Sequence, residues 1–327
     1  MRKLNKIHIL ILCILIFLVC LYFDLFQGYI KISVNDLWDF ITDKDTSNTQ
    51  ILSLIRFPKI FKAVIAGVSL ATAGLFMQVL SKNPLVEPYI TGVSSGAGLA
   101  LVLAILLNLS PSYYSLCAFL GAIAIASVVV SFAGYKKFSI TKLILIGLSI
   151  NIFASSIISA LILLNASKAY SMLVILSGNL NNSLAGIKTL GVIFIITMIL
   201  SIFMVPKLNF FKLDFSIVNA LTKNPHKHFI FLVILSAVLA ATSVCAAGII
   251  GFVGIIIPHL SRIIIGYDLR WVFVISSLLG ASIILFSDYL ARTVLFPTEL
   301  PIGLVVAMIG APIFLILLII SRKKFNA

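Results

Sequence analysis

Long tracts without Asp, Glu, Lys or Arg divide this chain. These tracts are Ala63–Ser81, Pro88–Tyr135, Leu143–Ser167, Thr189–Pro206, Phe229–Ser261, Trp271–Ser287 and Leu300–Ser321. A helix needs roughly 20 apolar residues to cross the hydrocarbon core of a bilayer. Only 10% of the 327 residues are charged and 61% are hydrophobic, whereas about a quarter of an ordinary soluble domain is charged. The sequence therefore predicts a polytopic membrane protein.

We predict an all-α integral membrane fold with about ten transmembrane helices, forming a single transmembrane domain over residues 1–327. The predicted spans are 7–27, 58–81, 92–107, 114–134, 142–164, 187–206, 228–248, 258–266, 271–291 and 303–321. The first span is expected to be an uncleaved helix, because no typical signal-peptidase site follows it. The span 258–266 is too short to cross fully and is expected to be a half-helix.

The distribution of Lys and Arg predicts the orientation, because these residues accumulate on cytoplasmic segments. Two thirds of the 24 Lys and Arg lie on one side when the spans are threaded through a bilayer, and both termini share that side. We therefore expect both termini in the cytoplasm, an extracellular segment at 28–57 and an amphipathic cytoplasmic loop at 207–228. This topology accounts for the net charge of +14 and makes a nucleic-acid partner unnecessary.

The segment "GFVGIIIPHLSR" (251–262) interrupts an apolar region with glycine and proline. Gly251 and Gly254 permit a tight turn, and Pro258 suits a helix start, where its missing N–H is harmless. A helix from Pro258 to residue 266 is about 13 Å long. We therefore expect the preceding glycine-rich segment to be non-helical within the membrane, and shielded by protein or facing a cavity.

Two basic residues, His259 and Arg262, lie on this predicted half-helix and orient it toward the inner surface. For His259 we favour a buried, hydrogen-bonded side chain over a metal ligand, because no second His or Cys lies at ligand spacing. No metal site or bound cofactor is expected. The chain also lacks a G-x-x-x-x-G-K-[ST] loop and a catalytic constellation, so we predict that it is not an enzyme and does not bind ATP by that loop.

Small residues follow one face of the second predicted span, at Gly67, Ala71, Gly74 and Gln78. Such a face favours close helix packing, although Gln78, polar at depth, is an alternative pathway residue. Polar residues follow one face of the fifth span, at Asn151, Ser155 and Ser159. That face is either part of a solute pathway or bonded to neighbouring helices and its own backbone, and the sequence leaves both open.

Two further motifs concern span ends. Asn83 and Pro84 should stop the second span, because the residue before a proline avoids the helical region. Gly92 and Gly96 then open the next span with small residues that permit close packing.

Near the outer end of the ninth span, Asp288 and Arg292 lie four residues apart. At this spacing they can form a local ion pair, and as ionisable groups at membrane depth they are also functional candidates.

These motifs, in this order, resemble the FecCD-type permeases of bacterial ABC importers for iron–siderophores, haem and cobalamin. The resemblance runs from "RFPK" (56–59) to "GAP" (310–312) and includes "NPLVEPYITGVSSGAGLA", "GFVGIIIPHLSRIIIGYDLR", "SDYLAR" and "ELPIGLVVAMIGAPIF". It implies ten transmembrane helices per subunit, including a short one. It also implies two permease subunits with the pathway between them, two cytoplasmic ATPase subunits and an outer substrate-binding protein.

The resemblance assigns roles to particular positions. Residues matching those that meet glutamates of the binding protein are Arg56, Lys59 and Arg292. Residues in the loop where the family places its ATPase-coupling helices are Leu213, Asp214, Phe215, Val218 and Leu221. Residues in the turn near the family's inner gate are Ser139 and Thr141. The loop departs from the family's usual Ala-Arg-x-Leu-Gly, so its individual contacts are not specified by the pattern.

The resulting hypothesis is an ATP-driven permease subunit in a bacterial plasma membrane, carrying an iron chelate. A ferric siderophore is favoured by family frequency, followed by haem and cobalamin, but no residue decides among them. The alternative is an ion-coupled secondary transporter. That class needs a titratable carboxylate near the midplane, whereas the predicted spans are nearly free of carboxylates.

Overall fold

A computed structural model describes residues 6–28, 30–133, 140–181, 186–213, 218 and 224–325, with side chains described as far as residue 319. Regular structure within these ranges is helical. The helices are α1 (Lys6–Phe26), α2 (Val34–Ile41), α3 (Ser47–Ile51), α4 (Phe57–Leu80), α5 (Val93–Leu106), α6 (Tyr114–Ala133), α7 (Ile140–Leu164), α8 (Ala166–Leu176), α9 (Ile187–Leu208), α10 (Pro225–Ala247), α11 (Val253–Ile265), α12 (Leu269–Thr293) and α13 (Ile302–Phe325). A π-helical turn, Leu52–Arg56, joins α3 to α4.

Eight helical segments in the described part of the chain are long and apolar enough to cross a membrane. They coincide with eight of the ten predicted spans and confirm the all-α membrane fold. The two other predicted spans are the shorter helices α5 and α11. The chain is therefore a multi-pass bundle in which short helices stand among long ones.

No predicted span covers α8, which has 11 residues and is about 16 Å long. Its position is set by Lys168, whose ammonium donates to the carbonyl oxygens of Ile105 (3.1 Å) and Leu106 (3.2 Å) at the end of α5. The last carbonyls of a helix have no partner within the helix. Lys168 therefore closes the end of α5 and holds α8 beside it.

The centre of the bundle is α4, whose side chains are almost all buried from Ala63 onward. A Cβ atom added to Gly67 would lie 2.1 Å from the carbonyl oxygen of Gly280 in α12. One added to Gly74 would lie 2.0 Å from the carbonyl oxygen of Gly254 in α11. The predicted packing role of the small-residue face is confirmed, because the absence of side chains lets these backbones touch.

The structural motif predicted before α5 contains a left-handed glycine and a close helix contact. Gly92 has φ of +82°, a left-handed conformation that glycine adopts at little cost, and it directly precedes α5. A Cβ at Gly96 would lie 2.3 Å from the carbonyl oxygen of Gly121 in α6. Asn83 Oδ1 accepts a hydrogen bond from the Leu85 N–H at 3.0 Å, which shapes the turn that contains Pro84.

The half-helix is longer than the sequence predicts. α11 begins at Val253 rather than Pro258, so Gly254 and Pro258 both lie inside it. The non-helical segment expected before it is present but shorter, running from residue 248 to 252. Gly248 and Ile250 are buried in this segment, as shielding of irregular backbone at membrane depth requires.

An interior proline normally leaves a carbonyl one turn earlier without its hydrogen bond. For Pro258 that carbonyl belongs to Gly254. The side-chain amide of Gln78 in α4 donates to the carbonyl oxygens of Gly254 and Ile255, each at 3.0 Å. The proline is tolerated inside α11 because a neighbouring helix supplies the missing donor.

A second backbone junction joins α8, α10 and α13. The N–H groups of Ile302 and Gly303, at the start of α13, donate to the carbonyls of Gly178 (3.2 Å) and Ser177 (3.0 Å). The Asn179 N–H donates to the Ala247 carbonyl at 2.9 Å. Helix ends that would be unsatisfied in hydrocarbon thus satisfy one another.

The glycine contact between α4 and α11 gives a direct stability test. We expect Gly74→Ala to lower the free energy of unfolding by about 3 kcal/mol, as overpacking does, despite the better helix propensity of alanine. Gly251→Ala is the matched control, because its Cβ would meet only Glu87 Oε1 at 3.8 Å. Unfolding in mixed micelles, followed by circular dichroism, measures both. Equal stabilities of the two variants would contradict the close contact.

Candidate pathway and docking sites

The three residues predicted to dock a binding protein meet in one pocket at the predicted outer end of the bundle. The pocket has a volume of about 230 Å³, and its lining includes Arg56, Lys59 and Arg292. The Arg56 guanidinium donates to the carbonyl oxygens of Asp24 (3.2 Å) and Ile30 (3.0 Å). It thereby ties the end of α1 and the following segment to the start of α4.

Arg292 in α12 lies between two buried carboxyl groups. Its guanidinium donates to Asp24 Oδ1 and, at 3.0 Å, to the Asp24 carbonyl oxygen. Its Nε lies 2.9 Å from Asp288 Oδ2 one turn earlier. The local ion pair expected from the spacing is therefore present, and Asp24 from α1 extends it between helices. Buried charges of this kind require such partners.

Lys59 bonds to Glu299, in the connection between α12 and α13. Its ammonium lies 3.1 Å from Glu299 Oε2 and 3.3 Å from Oε1, and the Asn181 amide donates to Oε2 at 2.5 Å. Burial alone would raise the pKa of Glu299, but the Asn181 hydrogen bond and the Lys59 charge hold it below its usual value. Glu299 is therefore ionised at neutral pH and faces Lys59 across the pocket.

The predicted docking residues are mostly buried in this chain: Arg56 is 6% exposed and Lys59 is 5% exposed. Each is engaged by internal partners, whereas the Glu299 side chain is 45% exposed. The structure thus brings the three residues together in one pocket. Their docking role stays a prediction.

Of the acidic residues in this cluster, the sequence indicated Asp288 but not Asp24 or Glu299. Asp24 is the one charged residue in the predicted span 7–27, and an ionisable group at membrane depth is a signal for a partner. Glu299 opens the motif "ELPIG" but had no assigned role. Asn181 carries no distinguishing signal, because it lies in a turn and becomes recognisable only through its contact with Glu299.

The polar face of α7 lines an open groove of about 650 Å³. Ser155 and Ser159 are exposed in the groove, whose walls include Ile152 and Leu163. Asn151 is half-buried, and its amide donates to the carbonyl oxygen of Tyr89 at 3.2 Å. The two interpretations of this face apply to different residues. Asn151 bonds to a neighbouring segment, whereas Ser155 and Ser159 are exposed in the groove.

The other predicted pathway residues fall elsewhere. Gln78 is 2% exposed, bonds to α11 as described above, and accepts a hydrogen bond from Arg262 through its Oε1. It touches a different pocket, at the predicted cytoplasmic end, that also contains His259. His259 is half-buried, and its Nε2 has no hydrogen-bond partner among the described residues. Thr141 is exposed at the start of α7, and Ser139 lies outside the described residues.

The predicted coupling residues are only partly described. Leu213 is exposed and follows a short 3-10 turn after α9. Val218 is fully buried. Asp214, Phe215 and Leu221 lie outside the described residues. The coupling role of the loop 207–228 stays a prediction.

Comparison with known proteins identifies the family of this helical bundle. The chain matches the FecCD transport family over residues 14–320. It belongs to that family. The "Fe(3+)-citrate import system permease protein YfmD" of Bacillus subtilis (strain 168) is 33% identical over 99% of this chain and 97% of its own length. The "Hemin transport system permease protein HmuU" of Yersinia pestis is 31% identical over 91% of each chain.

The fold comparison agrees with the sequence comparison. A solved metal-chelate-type ABC transporter in an inward-facing conformation superposes with a TM-score of 0.85 and 30% identity, over 95% of this chain and 98% of that chain. The FecCD resemblance expected from the motifs is therefore confirmed over nearly the whole chain. This FecCD-family chain is a multi-pass membrane protein.

Removing the Arg292 charge should lower the free energy of unfolding, and a second substitution at Asp24 should restore part of the loss. Arg292→Gln leaves Asp24 and Asp288 buried without their cation, which costs about 3–5 kcal/mol. The double variant Asp24→Asn with Arg292→Gln should recover part of this loss, because it removes one uncompensated carboxyl group. Unfolding in mixed micelles at neutral pH compares parent, single and double variants. A double variant less stable than Arg292→Gln would contradict the argument that the buried Asp24 carboxylate needs the Arg292 charge.

Proposed function

We propose that this chain is the membrane-spanning permease subunit of an ATP-driven ABC importer that carries an iron chelate, with a ferric siderophore as the first candidate. FecCD membership supports the importer class. Similarity to permeases named for ferric citrate and hemin supports an iron-containing chelate. The same similarities argue against the ion-coupled secondary transporter.

The observation that carries the proposal is the open polar groove on α7. Ser155 and Ser159 present hydroxyl groups on an outward face of the bundle. Polar side chains in membrane helices normally face protein or a water-filled cavity rather than lipid. A second permease subunit placed against this face would cover the groove and complete a pathway between the two chains. The partner chain is either a second copy or a related permease.

Energy would come from two cytoplasmic ATPase subunits bound at the loop 207–228. Movement of that loop would alternate the groove between the two sides of the membrane. In this scheme the permease performs no chemistry and needs no cofactor of its own. It lies in the bacterial plasma membrane with both termini in the cytoplasm, as the distribution of Lys and Arg favours.

A substrate-binding protein would dock at the pocket of Arg56, Lys59 and Arg292. Glu299 already neutralises Lys59 in the undocked chain. A carboxylate from the binding protein would therefore compete with Glu299 for the same ammonium. Because Glu299 lies in a connection between helices and is half-exposed, it can move aside while the buried lysine stays in place.

Obstructing the groove should block transport. We expect Ser155→Trp to lower uptake of a radiolabelled ferric siderophore in whole cells at least about tenfold, which corresponds to a barrier higher by about 1.4 kcal/mol. Phe153→Trp is the control, because Phe153 is exposed on another face of α7. Membrane levels of both variants are compared by immunoblot. Normal uptake by Ser155→Trp would remove the groove from the pathway.

Neutral substitutions separate docking from folding at Lys59. The double variant Lys59→Gln with Glu299→Gln removes the pair without leaving a buried charge, and should weaken binding-protein affinity about tenfold or more, as expected for a lost charged hydrogen bond. Glu299→Gln alone should preserve or raise affinity, since it frees the lysine. Lys31→Gln, exposed in the outer segment, is the control. Affinity is measured by biolayer interferometry on the importer in nanodiscs, and equal affinities for the parent and the double variant would exclude this docking role.

A further inference from the structure

The short helix α2, in the predicted outer segment, exposes an apolar face that neither transport nor docking explains. Val34 is 70% exposed, Trp38 is 64% exposed and Ile41 is 65% exposed. These residues are spaced at i, i+4 and i+7, so they lie on one side of the helix. Contiguous exposed apolar residues, unlike scattered ones, indicate an interaction surface.

The opposite side of α2 is polar. With 3.6 residues per turn, Asp36 and Asp39 lie on the side of the helix away from the apolar face. Asp36 accepts hydrogen bonds from the Ser33 N–H (2.7 Å) and the Asn48 amide (3.0 Å), and chiefly the Asn48 bond lowers the pKa of Asp36. Asp39 Oδ1 lies 2.7 Å from the Lys44 ammonium. Asp36 is therefore ionised at neutral pH, and this side of the helix is hydrophilic.

A third side of α2 faces the bundle and fixes the depth of the helix. The centre of the Phe40 ring lies 5.1 Å from that of Phe57, the first residue of α4. Just before α2, the Ile32 N–H donates to the carbonyl oxygen of Phe26, at the end of α1, at 3.1 Å. Because α1 and α4 are both membrane-spanning helices, α2 is held at the level where two spans end, which is the surface of the bilayer.

The neighbouring surface of α1 faces lipid. Leu15, Leu18 and Tyr22 follow one side of α1, and each is at least half exposed. The Tyr22 ring contacts Phe26, with ring centres 5.1 Å apart. An exposed apolar stripe on a membrane span faces hydrocarbon, whereas Tyr and Trp favour its boundary with the headgroups. The apolar face of α2 therefore lies beside the outer end of a lipid-facing surface.

The protein partners proposed above belong to other surfaces. The second permease subunit is placed at the α7 groove, whose described lining comes from α7 alone. The binding protein is placed at the outer pocket of Arg56 and Lys59, and no residue of α2 lines that pocket in the described part of the chain. The acidic side of α2 would also repel anionic headgroups, so contact with lipid has to come from the apolar face.

We propose that α2 is an interfacial helix of the outer leaflet, with Val34, Trp38 and Ile41 inserted among phospholipid acyl chains. Its acidic side stays in water. Amphipathic helices at this position bury their apolar face about 5–10 Å into the boundary between headgroups and acyl chains. Ile30 and Ile51, on either side of α2, line the outer pocket, so the lipid contact sets the depth of that pocket relative to the bilayer.

Fluorescence of Trp38 measures this insertion. Trp271→Phe leaves Trp38 as the single tryptophan of the full chain. The variant is reconstituted in vesicles of phosphatidylcholine brominated near the headgroup or near the acyl end, with acrylamide on both sides as the aqueous quencher. We expect Trp38 within about 5–10 Å of the headgroup boundary, and hence stronger quenching by shallow than by deep bromines and weak quenching by acrylamide. Bromolipid in both leaflets makes this readout independent of protein orientation.

Moving the tryptophan around the helix tests whether one side is inserted. In a background of Trp38→Phe with Trp271→Phe, Val34→Trp keeps the reporter on the apolar face and should retain quenching by shallow bromines. Asp39→Trp places the reporter on the polar side, and should lose most lipid quenching and gain acrylamide quenching. Asp39→Trp removes only a surface ion pair with Lys44, which contributes little to stability. Circular dichroism checks that both variants are folded.

The two quenchers separate lipid from other occupants of this face. Strong acrylamide quenching of Trp38 without bromine quenching would place the face in water. Weak quenching by both reagents would place it under protein, such as a second copy of this chain. Equal bromine quenching of the Val34→Trp and Asp39→Trp variants would show that α2 is not inserted by one side. Each of these results would overturn the proposal. The test needs no substrate, ATPase or binding protein, so its failure leaves the proposed transport function intact.

Discussion

The absence of water inside a bilayer is the constraint on which this architecture depends, because every backbone polar group at membrane depth needs a partner within the protein. The bond from Gln78 to the Gly254 carbonyl meets this requirement where Pro258 cannot. It allows a proline inside α11 and keeps that short helix against the central helix. The same requirement explains why the ends of α8, α10 and α13 converge on one another's backbone groups.

Charged side chains at membrane depth also need partners within the protein. At the predicted outer end, Arg292 joins α1 to α12 through Asp24, and Lys59 is held by Glu299. This arrangement makes the pocket part of the scaffold as well as a candidate docking site. At the opposite end, Arg262 in α11 donates to Gln78 Oε1 and so has a partner in α4.

Much of the fold could be predicted because span length and loss of charge are local properties of the sequence. The glycine contacts were also predictable, since the spacing of Gly67 and Gly74 places both on one face. The start of α11 was not predictable, because Pro258 is helical only through a donor from α4. The acidic partners Asp24 and Glu299 were missed for a similar reason: each acts through residues distant in the chain. The sequence identified Ser155 and Ser159 of α7 as a polar face, but it could not show whether that face lines a solute pathway or packs against other helices.

The bridge from Gln78 to α11 has a mechanical consequence. A helix with an interior proline would ordinarily bend or swing on its own at the missing bond. Here the Gln78 side chain of α4 donates a hydrogen bond to the freed carbonyl of Gly254. Arg262 of α11 donates to the oxygen of the same side-chain amide. These bonds couple α4 and α11 at that level, so the two helices should move together as one rigid unit when the bundle changes conformation.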